Sequence, residues 1–150
     1  MLKSKNSESQ DGILACTKSP LQATIFLESE LKKSNLSSRD KVKNTFLFFM
    51  IFIEKNKGFA RLVSREALSS DEQNVSDAVN QFFERLELSI KQMLAEDSNN
   101  LIAQPGISAQ LIVTCLEGNV GRYIRSKFKD SPSNYIENVW ELLSVNIFKK

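Results

Sequence analysis

The spacing Val75, Val79, Phe82, Leu86, Ile90, Met93 constrains the fold of this chain more than any other feature. These apolar residues step by three or four, while Glu84, Arg85, Glu87, Lys91 and Gln92 occupy the other faces. A period of this kind lines one stripe of an α-helix; a strand, whose faces alternate at every residue, cannot use it. Ser69-Ser70-Asp71-Glu72 supplies a cap and two carboxylates for the first turn, where the helix dipole favours negative charge. No stretch of the chain shows strand alternation of comparable length. The expectation is an all-α fold of about six helices.

The remaining helices follow from caps and breakers. Ser19-Pro20 joins an N-cap to a proline at the first helical position, and Leu21, Ile25, Leu27 and Leu31 follow before Ser34-Asn35 interrupts the pattern. Ser37-Ser38 caps a helix from about Arg39 to Lys55, with Gly58 as its stop. The run Phe46-Leu47-Phe48-Phe49-Met50-Ile51-Phe52-Ile53 inside it is apolar on every side, so it is expected to be buried all round or to lend one face to docking. It is far shorter than the roughly 20 residues a membrane span requires, and Glu54, Lys55 and Lys57 close it. A short helix is expected around residues 59–68, and a loop over residues 97–105. A long helix then runs from about Gly106 to Lys129. Ser131-Pro132 caps the last helix, in which Ile136, Val139, Trp140, Leu143 and Ile147 form one stripe. Residues 1–18 are polar and aperiodic and read as a flexible tail, leaving 19–150 as one domain.

Composition removes several function classes. The 150 residues contain no histidine, the commonest metal ligand and general base, and the two cysteines, Cys16 and Cys115, lie far apart without a CxxC pair. A reduced cytosolic protein without metal, cofactor or catalysis is expected. Gly12-Ile13-Leu14-Ala15-Cys16 has no apolar region before it, so a secretion signal is rejected. The formal charge is only +2, yet the last thirty residues hold six basic and three acidic side chains, so the positive charge is local.

Gly118 and Gly121 stand three apart in an otherwise helical run, where each costs about 1 kcal/mol relative to alanine. Close approach of another helix, across a subunit contact or within the chain, is the expected compensation. Arg122, Arg125, Lys127 and Lys129 leave three readings open: phosphate contact, contact with an acidic partner, or a solvated helix end favoured by its dipole. Glu117 reads as a seam or capping residue and Cys115 as a packing residue, since neither has a base or second carboxylate beside it in sequence.

Asn80-Gln81-Phe82-Phe83-Glu84-Arg85-Leu86-Glu87, Cys115-Leu116-Glu117-Gly118 and Arg122-Tyr123-Ile124-Arg125-Ser126-Lys127-Phe128-Lys129, in this order and followed by Trp140, resemble the SlmA family of TetR-like nucleoid occlusion factors. Glu54-Lys55-Asn56-Lys57-Gly58-Phe59-Ala60-Arg61-Leu62 is similar to that family's Glu-Arg-Asn-Pro-Gly-Leu-Thr-Arg-Ile segment, and the resemblance runs from about Leu21 to Leu143. Members are DNA-bound inhibitors of bacterial cell division. The resemblance implies a homodimer in which the last two helices of each subunit form a four-helix bundle, with Gly118, Gly121, Tyr123, Ile136, Trp140 and Leu143 at the interface. It further implies that the partner is FtsZ, the polymerising division protein, engaged through Phe48, Ile51 and Lys55; Ile51 stands where the family pattern has glycine. DNA is a family partner too. No helix-turn-helix spacing precedes Pro20, so the resemblance is to the C-terminal regulatory and dimerisation domain alone; no DNA-binding residue is assigned and DNA binding is expected to be impaired or absent. The expected location is the cytoplasm, at the nucleoid if DNA binding is retained, with no membrane association. A second reading, a ligand-sensing TetR-type regulator, would place a small apolar ligand among Phe46, Phe49, Phe52, Phe82 and Phe83.

Overall fold

The first long helix, α1 (Ser38–Lys55), begins where the Ser37 hydroxyl accepts the Asp40 amide at 3.1 Å, satisfying one of the donors that a helix start leaves open. The computed structural model describes residues 35–63 and 73–150, together with the helical positions Ile25, Glu28, Ser29 and Lys32. The expected tail over 1–18, most of the helix expected at 20–31, the cap at 69–72 and the side chain of Val75 lie outside the described residues. Helix α1 stops at Asn56, whose backbone leaves the helical region (φ −129°, ψ 73°) and whose side-chain amide donates to the Phe52 carbonyl at 2.8 Å. Gly58 is therefore not the stop expected for it: it lies inside the next helix, α2 (Lys57–Val63). Then come α3 (Gln73–Ala95), α4 (Pro105–Arg125) and α5 (Ile136–Ile147), with single 3-10 turns at Ser98–Asn100 and Pro132–Asn134. Ser131-Pro132 therefore starts a 3-10 turn and does not cap the last helix as expected; Tyr135 stands at that helix's N-cap, without a side-chain cap bond. The only strand-like pairing among the described residues is an isolated antiparallel bridge between Leu101 and Phe148, so the all-α expectation holds.

Helix α1 is the hub, which explains why its apolar run has no polar side. Phe49 stacks on Phe82 of α3 at 5.6 Å, Phe52 meets Phe59 of α2 edge-on at 5.1 Å, and Phe46 leans on Trp140 of α5 at 5.6 Å. Val42, Phe46, Phe49, Met50 and Ile53 have no exposed surface, and Thr45 joins them by giving its hydroxyl proton to the Lys41 carbonyl. On α3 the expected stripe Val79, Phe82, Leu86, Ile90 and Met93 is buried throughout.

Helix α4 is shorter than its sequence suggests. It ends at Arg125, because Lys127 and Phe128 both take left-handed backbone angles (φ 56° and 62°), an uncommon conformation for residues with large side chains. The Lys127 amide donates to the Ile124 carbonyl at 2.8 Å and the Phe128 amide to the Tyr123 carbonyl at 2.9 Å, so the reversal satisfies the helix end. It also brings the Phe128 ring against Tyr123, edge-on at 5.0 Å. The chain end is pinned by the Ile102 amide donating to Ile147 and the Lys149 amide donating to Asn100.

Candidate functional site

Phe48, Ile51 and Lys55 lie three and four residues apart on α1, whose exposed surface also includes Arg39, Asp40 and Asn44. Phe48 is half-buried and stacks on Phe52 at 6.4 Å; Ile51 is 36% exposed and Lys55 is exposed. The apolar floor and charged end of this row are held in place from both sides. At the start of α1, Ser38 donates to the Met93 carbonyl, Lys41 pairs with Glu96 at 2.9 Å, and Arg39 donates to Ser144 at 3.1 Å. At its end, the Tyr123 hydroxyl donates to the Glu54 carbonyl at 3.1 Å, and Ser133 donates to the Glu54 carboxylate at 2.9 Å. Lys55 therefore projects from a backbone anchored by α4 and by the turn before α5. Burial raises the Tyr123 pKa above its ordinary value, and the nearby Glu54 charge adds to the rise.

The residues expected at a subunit interface divide into two groups. Tyr123, Ile136 and Trp140 are at most 2% exposed and face the chain's own core, where Trp140 packs on Phe46; a side chain so enclosed offers no surface to a second subunit. Leu143 is half-buried against the same core. Gly118 is exposed and Gly121 half-buried, and a Cβ added at either would meet nothing within 4 Å among the described residues, so no described neighbour within the chain needs these glycines. They belong to an outward row of α4: Ile107 (59% exposed), Leu111 (46%), Thr114, Gly118, Gly121 and Arg125, spaced by alternate fours and threes. Helix α5 in turn exposes Leu142 and Val145. Ile107, Leu111, Leu142 and Val145 are absent from the sequence expectation. The alternate spacing along α4 is a signal that could have found the first two, whereas Leu142 and Val145 sit off the Ile136–Ile147 stripe and carry no pattern of their own.

A cleft of about 480 Å³ lies between α2, α3 and α4, floored by Val63, Val79, Phe83 and Val120 and rimmed by Glu84, Glu87 and Glu117. The phenylalanines expected to line a ligand pocket, Phe46, Phe49, Phe52 and Phe82, are instead buried in ring contact with one another or with neighbouring rings; only Phe83 reaches the cleft. Cys115 is half-buried, and desolvation raises its pKa despite a contact from the Asn119 amide at 3.4 Å, which keeps it a neutral thiol at physiological pH. Among the described residues no cluster of three His, Cys, Asp or Glu side chains is placed to hold a metal, and no helix is long and apolar enough to cross a membrane.

Residues 37–148 match the SlmA-like family model described as the tetracycline-repressor-like C-terminal domain. The nucleoid occlusion factor SlmA of Vibrio vulnificus (strain YJ016) is 28% identical over 141 residues, covering 91% of this chain and 70% of that protein. The protein of the same name from Vibrio cholerae gives the same identity and coverage. That of Colwellia psychrerythraea is 31% identical over 101 residues, covering 65% of this chain and 51% of the relative.

Proposed function

Because the chain belongs to the family of SlmA-like, tetracycline-repressor-like C-terminal domains, we propose that it is a cell-division regulator that antagonises FtsZ ring assembly over the nucleoid and works as a homodimer. The observation that carries this reading is the Phe48–Ile51–Lys55 row: an accessible strip at the end of the helix that anchors the core, at the positions the family resemblance assigns to FtsZ. Ile51 would bury apolar surface against the partner, and Lys55 would pair with its carboxylates, a contact that salt weakens.

The outward row of α4 and the exposed Leu142 and Val145 of α5 support dimerisation. Exposed apolar residues on α4 and on α5, with glycines that no described neighbour within the chain requires, suit a two-fold contact in which backbones come close. Co-sedimentation with FtsZ polymers tests the first claim: the chain should pellet with polymers or shorten them, and Ile51→Glu with Lys55→Glu should abolish the effect. Undiminished activity of that double variant overturns the assignment. Sedimentation equilibrium tests the second, with a monomer at micromolar concentration as the overturning result. The cleft between α2, α3 and α4 supports the alternative, ligand sensing, which a rise in melting temperature with an apolar compound, abolished by Val120→Glu, would favour.

A further inference from the structure

The cleft between α2, α3 and α4 differs from the interior, where the phenylalanine rings pack on one another and leave no room. It opens at the surface, and its volume of about 480 Å³ suits one small molecule. The floor is apolar: Val63, Val79 and Val120 are at most 8% exposed, and the Phe83 ring among them is fixed edge-on by Phe49 at 6.1 Å and by Phe82 at 5.4 Å. The rim is acidic. Asn80, Glu84 and Glu87 follow one another by four and three along α3, and Glu117 stands on the α4 side. Among the described residues no lysine or arginine lines the cleft. We propose that it binds a small hydrophobic cation, whose aromatic or alkyl groups lie on the valine and Phe83 floor and whose positive charge faces Glu84 and Glu87.

The charges that carry the inference are those of Glu84 and Glu87. Glu117 already has a contact of its own, so it contributes to the sign of the local field and is not counted as a free partner. Glu84 is exposed and Glu87 half-buried, and neither takes part in an ion pair among the described residues. Two carboxylates at the edge of an apolar floor attract a cation more strongly than the same pair in bulk water, because the floor excludes the solvent that screens them. The aromatic ring adds to this attraction, since a cation within about 6 Å of a ring centroid is drawn to its face.

Other ligands fit less well. An anion meets the acidic rim, and an uncharged apolar molecule gains the floor without the charge. A bare metal ion has no set of donors, since among the described residues no three ligating side chains come together. Gly121 leaves the α4 wall without a side chain, and a Cβ there would meet nothing within 4 Å among the described residues, so the mouth stays wide enough for a bulky organic group. The inference names a ligand class for the ligand-sensing use of this cleft and rests on that reading; it is independent of the FtsZ row on α1.

The test is isothermal titration calorimetry of the chain, in sodium buffer, with probes of related shape and different charge: tetraphenylphosphonium, uncharged triphenylphosphine oxide and anionic tetraphenylborate. The cation is expected to bind at one site per chain, to weaken with added salt, and to bind about tenfold or more tighter than the uncharged probe, with no binding of the anion. Glu84→Gln combined with Glu87→Gln should reduce its affinity about tenfold or more while the far-UV circular dichroism stays that of the parent. Glu137→Gln, an exposed change on α5, should leave it unchanged. Equal affinity for the cation and the uncharged probe, tighter binding of the anion, or undiminished affinity in the double variant overturns the choice of a cation and leaves the cleft a site for other ligands. Binding of none of the probes overturns both the proposal and the ligand-sensing reading beneath it.

Discussion

The inward and outward faces of α4 and α5 are built from similar residues and have opposite surroundings. Inward, Leu116, Tyr123, Ile136 and Trp140 are sealed against α1 and its neighbours. Outward, Ile107, Leu111, Leu142 and Val145 stand in solvent, Leu142 at 70% exposure. Most exposed apolar residues on a soluble domain are scattered singly, whereas these come as two pairs, spaced by four on α4 and by three on α5. Apolarity measures the tendency of a residue to be buried and says nothing about what buries it.

The strongest way to break this comparison is to truncate one residue from each face. Trp140→Ala should cost about 3–5 kcal/mol of unfolding free energy, because it empties a large site with no exposed surface. Leu142→Ser, measured under dilute conditions that favour monomer, should change stability by no more than about 0.5 kcal/mol. Denaturant melts followed by circular dichroism would show both, and equal losses would mean that the two faces are not distinct. Among the described residues the Trp140 indole N–H has no hydrogen-bond partner, so Trp140→Phe should lose only volume and fall well short of the alanine variant.

Next in size is association. Leu142→Arg with Val145→Arg should weaken the dimer by about 2 kcal/mol or more while leaving the subunit folded, since charge would be forced into an apolar contact. Analytical ultracentrifugation reads this directly, and an unaffected dimer would place the interface elsewhere. Gly118→Ala separates the faces more finely. With nothing within 4 Å of the added methyl group, the isolated subunit should gain about 0.5–1 kcal/mol from improved helix propensity, while a close two-fold contact should loosen. A gain in both would show that the glycine serves no contact.

The smallest expected effect belongs to the inward face and to pH. Tyr123 and Tyr135 both have pKa values raised, first by burial and then by neighbouring carboxylates, Glu54 for Tyr123, and Asp130 and Glu54 for Tyr135, although Arg122 opposes the rise at Tyr135. A raised folded-state value means that the native state favours the neutral phenol. Its contribution is complete below the unfolded value of about 10 and is lost as pH climbs through the folded value. Stability should therefore fall above about pH 10, less steeply in Tyr123→Phe, with urea melts across that range as the measurement.

Much of this was legible before any coordinates. The α3 stripe is buried because a period of three and four can only face one way, and the α1 run is a central helix because a segment without a polar side has nowhere else to go. The glycine pair was legible as an anomaly but not as a location: an intrachain neighbour and a second subunit leave the same mark in sequence. The end of α4 was not legible at all. Gly and Asn announce a left-handed turn, but Lys127 and Phe128 do not, so the pattern ran on to Lys129 while the backbone reversed after Arg125.

The sequence by itself determined the class of fold, the Ser37 cap and the central apolar helix, because these depend on neighbours a few residues apart. Only the tertiary structure decided that Trp140, Tyr123 and Ile136 belong to the subunit's own core, that Ile51, Lys55, Leu142 and Val145 remain outside, and that Lys57, Arg61 and Phe128 meet. The reason is physical: which of two apolar faces is covered, and which cations share one ring, depends on how helices distant in sequence pack, and no local period records it.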